Sequence, residues 1–239
     1  MNSILASAFV HSSEKGSSQS LAQEIANPLT TMIMVPVQYE YNENIGPDDK
    51  GTRHNVFVQP IIPFELNDDW NLITRTIVPF IDQQDIFPGS GTQSGMGDIT
   101  ESLFFSPTQA VDGWWIHGFG PVFQFDSATD DYLGLDEHGI GLSYVGLTVY
   151  GPVTWGFLIN HIYSAEGSLG DTYSNTFFQP FYHYTTEWAM TFELTSESNY
   201  NWNEDQWSIP VTLTASQYFE VGDQALLLGG GFKYSTAKT

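Results

Sequence analysis

The 239-residue sequence predicts an all-β fold, an antiparallel up-and-down β-barrel that crosses a membrane. Runs rich in β-branched and aromatic residues recur along the chain, each roughly ten to twelve residues long, whereas strands of soluble proteins usually stop at about five or six. Such lengths suit a tilted strand that spans a bilayer. Many runs alternate apolar with polar residues, and the connections between them alternate between short turns and longer acidic loops, as in bacterial outer-membrane barrels.

The clearest hairpin lies in residues 53–80. Its two runs, 53–64 and 70–80, are joined by Glu65-Leu66-Asn67-Asp68-Asp69, a linker rich in turn-forming residues. Two further runs, 139–150 and 153–164, are separated only by Gly151-Pro152. These features predict tight turns at one rim of the barrel.

The remaining strands follow from alternation and from turn signals. Residues 83–97 and 126–137 are predicted as loops, and 21–25 as a single helical turn. The other strand predictions are 30–41, 98–106, 113–125, 172–184, 188–200, 206–219 and 224–234. Together with the two hairpins they give about eleven strands.

The two ends of the chain do not fit a complete barrel. Residues 1–29 hold a short apolar stretch, Ile4 to Val10, without a preceding Lys or Arg, and are predicted to be an export-signal remnant or a disordered segment. The barrel is predicted to occupy residues 30–239. Because single-chain bacterial barrels have even strand numbers and open edges are costly in lipid, we expect twelve strands, with the closing one missing from this chain.

The composition excludes several kinds of function. The chain has no cysteine, so disulfides and thiolate metal sites are excluded. Its 28 acidic and six basic residues give a formal charge of −22, which disfavours binding to nucleic acid. Acidic exposed loops explain that charge most simply, with cation binding as the alternative. Aromatic residues reach 15%, which suits the interfacial girdles of a membrane barrel.

Five polar residues are predicted to face the lumen. Arg53 and Arg75 are the only arginines, and each lies on the face opposite the apolar residues of its strand. Glu193 and Glu197 share a face with threonines, and Asn160 lies opposite the aromatic face of its strand. Arginines facing carboxylates predict either a constriction that selects solutes by charge or an ion-pair network that stiffens or plugs the barrel.

No catalytic, cofactor or metal site is predicted. Glu193 and Glu197 are four residues apart on one strand, roughly 13 Å, which exceeds the spacing of glycosidase carboxylates. The six histidines lack metal-ligand spacing, and the acidic loop 126–137 lacks the calcium-loop pattern, so adventitious calcium is the most that it predicts. We expect no enzyme activity.

Several motifs resemble the outer-membrane barrels of the putative MetA-pathway of phenol degradation family. The motifs are residues 55–64 with 69–76, 93–99, 118–124 with 128–130, 179–181 and 207–211. The resemblance implies a barrel in the outer membrane of a Gram-negative bacterium, surrounded by lipid, that passes small, apolar or aromatic solutes. It implies no catalytic residues and no cofactor.

Two other functions remain open at this stage. The barrel could be a non-transporting surface protein whose acidic loops serve adhesion or structure. A soluble β-sandwich that binds carbohydrate is the third reading, against which the uniform strand length argues.

Overall fold

The computed structural model describes residues 2–11, 17–86, 89–164, 173–222 and 224–235, with residues 2–11 described as a backbone strand. It contains one helix, α1 Ser18–Ile25, and sixteen strand segments. The segments are β1 Asn2–His11, β2 Ile33–Ile45, β3 Gly51–Val58, β4 Ile61–Asn67, β5 Trp70–Gln84, β6 Thr92–Met96, β7 Ile99–Pro107, β8 Ile116–Phe125, β9 Gly139–Tyr150, β10 Val153–Ser164, β11 Tyr173–Thr185, β12 Met190–Ser196, β13 Ser198–Asn201, β14 Gln206–Ser208, β15 Pro210–Val221 and β16 Gln224–Ser235.

The strands form a closed antiparallel ring. Four pairs of segments continue one another, namely β3/β4, β6/β7, β12/β13 and β14/β15, so the sixteen segments make twelve barrel strands. Each barrel strand pairs with its neighbours in sequence, β10 pairs with β11, and β1 pairs with both β2 and β16. The fold is therefore an all-β, up-and-down barrel, and a two-sheet sandwich does not fit this pairing.

The closing strand is present, which corrects the expectation that the chain lacks it. Asn2–His11 pairs along its whole length with Gln224 to Lys233 of β16 and, through residues 3–11, with β2. The short apolar stretch that resembles the core of an export signal in sequence is thus a barrel strand. Whether residues 1–29 also include a signal remnant stays a prediction, and residues 1, 12–16 and 236–239 lie outside the described residues.

A β-bulge interrupts the strand formed by β6 and β7. Phe80 pairs with Met96, but Ile77 pairs with Thr100, so one extra residue is inserted around Gly97 and Asp98. The bulge exchanges the inward and outward faces of the chain between β6 and β7. The segment 92–96 was expected to be loop, and it is a strand because it extends the pairing of β5 beyond the bulge.

The outward face of the barrel is an apolar belt bounded by aromatic residues. Leu142 is 75% exposed and Leu213 and Phe232 are each 58% exposed, although all three lie within strands. Exposed aromatic side chains stand near both rims: Trp70, Tyr150, Trp155 and Trp188 at the short turns, and Phe125, Tyr163, Trp202 and Trp207 at the long loops. On β10, the stretch from Trp155 to Tyr163 is nine residues long with both ends included, about the length that a strand needs to cross a bilayer.

Helix α1 lies at the short-turn rim. Ser17 caps it by accepting a hydrogen bond from the Ser20 backbone N–H, and the helix is longer than the single turn that the sequence predicts. The side-chain amides of Gln19 and Gln23 donate to the backbone oxygens of Thr185 and Gly151, both at short turns. In the described ranges, no helix is both long and apolar enough to cross a membrane.

Candidate functional site in the barrel lumen

The inward faces of the strands enclose two cavities in series. The outer cavity, of about 730 Å³, lies towards the long loops and is lined by Arg53, Asn55, Phe57, Asn199 and other residues. The inner cavity, of about 240 Å³, lies nearer the short turns and includes Arg75 and Glu193. Glu197 lines both cavities, so the two meet at this side chain. We call them the vestibule and the inner chamber.

A charged cluster of three residues stands at the junction of the two cavities. Lys233 Nζ lies 3.2 Å from Glu40 Oε2 and 3.0 Å from Glu197 Oε2. Gln38 Nε2 adds a hydrogen bond of 2.7 Å to Glu40 Oε1. Lys233 belongs to β16 and Glu40 to β2, so their ion pair spans the closing strand β1 between them. The cluster therefore links the two neighbours of the closing strand from inside the barrel.

Arg75 faces the inner chamber without a carboxylate partner. Its Nη2 donates to Gln59 Oε1 at 2.7 Å, and Gln59 Nε2 lies 3.4 Å from Gln38 Oε1. Its Nε is buried and has no acceptor, and no carboxylate oxygen of the described residues lies within 4.0 Å of the guanidinium. A buried guanidinium in this state carries unsatisfied hydrogen-bonding capacity.

Arg53 faces the vestibule and joins a second network. Its Nε donates to Gln83 Oε1 at 2.9 Å, and Gln83 Nε2 lies 3.2 Å from both Gln93 Oε1 and the Tyr132 backbone oxygen. Gln83 is 1% exposed. This network connects the wall of the barrel to the acidic loop 126–137.

The remaining three predicted residues occupy different surroundings. Glu193 lines the inner chamber, with its Oε2 at 3.6 Å from His183 Nε2, and Glu197 belongs to the charged cluster. Asn160 pairs directly with Phe177, whose aromatic ring lines the vestibule. Because directly opposed residues share a face of the sheet, Asn160 also lies on the inward face. The fold thus brings Glu197 next to Lys233, while Arg53 and Arg75 bind glutamines rather than the predicted carboxylates.

The segment formed by α1 and the residues that follow it, 18–32, fills the short-turn end of the lumen. Ala22, Ile25 and Leu29 are buried and pack with inward-facing residues of the wall, including Ile73 and Phe104. Leu29 approaches the wall at Gly118, where an added Cβ would meet its Cδ2 at 3.0 Å. A third cavity, of about 370 Å³, lies on the other side of this segment, and Asn27 lines both it and the inner chamber. We call residues 18–32 the plug.

Part of the plug could be predicted from the sequence. The turn prediction at 21–25 marks its position, but the contacts of Ala22 and Leu29 are with residues tens of positions away. Periodicity in such a short segment does not reveal where it packs.

The loop 126–137 folds against the inner wall. Asp98 holds it there: Oδ1 accepts from the backbone N–H groups of Ser127 and Ala128, and Oδ2 accepts from that of Leu135 at 2.7 Å. Thr129 N–H donates to the Met96 backbone oxygen at 2.9 Å, and Leu133 is buried, 7% exposed. Asp98 lies in the bulge itself, so the bulge positions the carboxylate that anchors the loop.

The described part of the chain contains no group of three or more His, Asp or Glu side chains arranged to hold a metal ion. The lumen geometry accordingly consists of hydrogen-bonding and charged groups that contact one another or the cavities.

Comparison with known proteins finds a solved structure with a similar fold. The sequence matches no protein family model and no curated protein. Among solved structures, the chain is similar to the COG4313 outer membrane channel from Pseudomonas putida F1, with a TM-score of 0.55 and 14% sequence identity over 98% of this chain and 95% of that one. At this identity the likeness concerns the fold alone, an up-and-down β-barrel.

Proposed function

We propose that this protein is a channel of the bacterial outer membrane through which small, partly apolar molecules pass without an energy source. The observation that carries the proposal is the series of cavities inside a closed ring of strands. A lumen of this kind offers a polar entrance, a charged junction and a chamber that is apolar on one side. Both the resemblance of the motifs to the MetA-pathway of phenol degradation barrels and the fold likeness to a channel support it.

The outer surface supports the location. Lipid-facing residues of membrane barrels are apolar, with aromatic girdles at both interfaces, and this barrel carries both features. In outer-membrane barrels the short turns face the periplasm and the long loops face outwards. On that basis the vestibule opens to the cell exterior and the plug stands at the periplasmic side.

The inner chamber supports the kind of solute. Met34, Ile61, Leu158 and Phe181 line it and are nearly buried, and they give it an apolar wall. Its volume lies just below the range of about 300–1,000 Å³ of common small-molecule pockets. A solute with an apolar body of a few carbon atoms or a single ring matches this space.

The plug separates the chamber from the short-turn rim, so passage requires its displacement. A variant in which residues 12–32 are replaced by a two-residue turn tests this. His11 and Ile33 are direct partners in the β1–β2 pairing, so a tight turn can join these strands without a change of register. We expect the turn variant to conduct ions in planar bilayers far better than the unmodified chain, with both proteins remaining folded.

A non-transporting barrel is the second candidate, and the plug itself favours it. Ala22 is fully buried and Leu29 is 4% exposed, so the segment packs as a structural element. Under this alternative the turn variant would lose stability without gaining conductance. No conductance from a folded turn variant would therefore contradict the channel proposal.

A further inference from the structure

We propose that the inner chamber is a binding site for a small monocarboxylate with an apolar body, whose carboxylate is bound by Arg75. The inference rests on the proposed function, because it names the class of solute that would occupy the pathway. Its evidence comes from the hydrogen bonds, the burial and the charges around this one guanidinium.

The first argument is the unmet hydrogen-bonding capacity of Arg75. A guanidinium has five N–H donors, and the hydrogen bond of Arg75 to a side chain of the described residues is the one from Nη2 to Gln59. Its Nε–H is buried and has no acceptor among the described residues, so it does not itself face the chamber. The N–H groups at the Nη end, apart from the one that Gln59 accepts, are the donors that a carboxylate in the chamber can reach.

The second argument is the contrast between Arg75 and Lys233 in the same lumen. Lys233 has two carboxylates within 3.2 Å, so its charge is already compensated by the protein. No carboxylate of the described residues lies within 4.0 Å of Arg75. Glu197 attracts the guanidinium from a longer distance, but its carboxylate is hydrogen-bonded to Lys233. The N–H donors of Arg75 therefore remain free to bind an anion, whereas Lys233 is already bound by two carboxylates.

The third argument is the apolar wall of the chamber. Ile61 pairs directly with Arg75 across β4 and β5, so the two side chains stand next to each other on the inner face. Leu158 and Phe181 complete the wall, each less than a tenth exposed. A molecule that places a carboxylate on Arg75 would thus place its apolar body against these residues.

The charges facing the chamber limit the solute to one negative charge. Besides Arg75, the ionisable side chains that line it are His183, Glu193 and Glu197. Glu197 is bound to Lys233, whereas the ion-pair partner of Glu193 among the described residues is His183, at 3.6 Å. A second carboxylate on the solute would be repelled by Glu193, because like charges in a partly desolvated site interact unfavourably.

Three probes that share a ring and differ in charge test the proposal: benzoate, benzyl alcohol and benzylamine. The full chain, refolded into phosphatidylcholine nanodiscs, would be titrated with each by calorimetry. We expect benzoate to bind most tightly, and Arg75→Gln to weaken it by about 10- to 150-fold, the range of hydrogen bonds to a charged group. Glu193→Gln should strengthen benzoate binding, since it removes a repelling charge.

The matched control is Lys50→Gln, which removes an equal charge from an exposed position in a loop. It should leave benzoate binding unchanged. If Arg75→Gln fails to fold, the order of the three probes' affinities for the unmodified chain still tests the proposal. Equal affinities, tighter binding of benzylamine, or benzoate binding that survives Arg75→Gln would overturn the proposal.

The outcome is separable from that of the proposed function. Conductance of the turn variant measures whether a path exists, whereas the titration measures what the chamber binds. A conducting barrel that does not prefer benzoate contradicts only the present inference. A barrel that binds benzoate but never conducts contradicts only the channel.

Discussion

At the scale of single residues, Lys233 has the largest consequences for charge balance. Its amine is the shared ion-pair partner of two carboxylates, those of Glu40 and Glu197, and the Glu40 side chain is only 6% exposed. Removal of the amine leaves both carboxylates in the lumen without a cation. Breaking a buried ion pair by removing one partner costs about 3–5 kcal/mol.

We therefore expect Lys233→Met to lower the free energy of unfolding by up to about 4 kcal/mol and to make the lumen more cation-selective. Urea unfolding in detergent measures the change in the free energy of unfolding. The reversal potential in a salt gradient measures the selectivity, with Lys233→Met introduced into the turn variant. Lys50→Met is the charge-matched control in an exposed loop. Adding Glu40→Gln to Lys233→Met should recover part of the lost stability.

The direction in which side chains point, towards the lumen or away from it, was the feature of the site that could best be predicted from the sequence. Arg53 and Arg75 follow the inward phase of their strands because side chains alternate with a period of two. Their partners were not accessible in this way. Gln59 and Gln83, rather than glutamates, meet the arginines, since cross-strand partners depend on register and on side-chain length.

At the scale of elements, the plug is held by apolar contacts of Leu29 and by two glutamine side chains at the short turns. Leu29 lies close to the wall at Gly118, where an added Cβ would meet its Cδ2 at 3.0 Å. Truncating a buried leucine to alanine costs about 2–5 kcal/mol. Most of this loss should fall on the docked state of the plug, because the strands retain their pairing.

We expect Leu29→Ala to raise the open probability in planar bilayers while the unfolding of the barrel in urea changes little. Ser18→Ala, at an exposed position of the same helix, is the control and should behave like the unmodified chain. An unfolding midpoint that drops without any change in opening would show that the plug is part of the barrel core.

Asp98 gives the corresponding prediction for the loop 126–137. An asparagine retains one oxygen but places an N–H₂ group opposite one of the backbone N–H donors that the carboxylate now accepts. Losing these charge-assisted bonds costs about 1–3 kcal/mol. We expect Asp98→Asn to release the loop, so that chymotrypsin cleaves after Tyr132 faster and the mouth of the vestibule widens.

The control for the loop is Asp131→Asn, an exposed acid of the same segment. It should leave the cleavage rate unchanged. Equal rates in Asp98→Asn and the unmodified chain would contradict the anchoring role. This contact could not be predicted from the sequence, because Asp98 lies 29 to 37 positions before the loop groups that it binds. The two motifs that contain the partners, 93–99 and 128–130, were noted, but nothing in the sequence connects them.

At the scale of the whole molecule, the expected total of twelve barrel strands is confirmed, but the expectation that the closing strand is missing from the chain was wrong. Alternation of long runs and of short and long connections led to about eleven strands, and the even strand number of bacterial barrels led to the twelfth. The stretch from Ile4 to Val10 is almost uniformly apolar, so it lacks the period-two pattern that marks the other strands. Composition alone does not separate such a strand from the core of an export signal.

The role of β1 in closing the ring gives the last prediction. Because β1 is antiparallel to both β2 and β16, those two strands run parallel to each other, and without β1 they could close the barrel only through a parallel pair. We expect a variant lacking residues 2–11 to leave two unpaired strand edges, which are costly in lipid or detergent. On a gel, the unmodified chain should migrate differently before and after boiling, as a closed, detergent-stable barrel does, and the shortened variant should show no such shift. The turn variant, which retains β1 but lacks residues 12–32, is the control and should keep the shift. A shortened variant that still shifts would mean that β2 and β16 pair directly, in an eleven-stranded barrel, and that β1 is dispensable for closure.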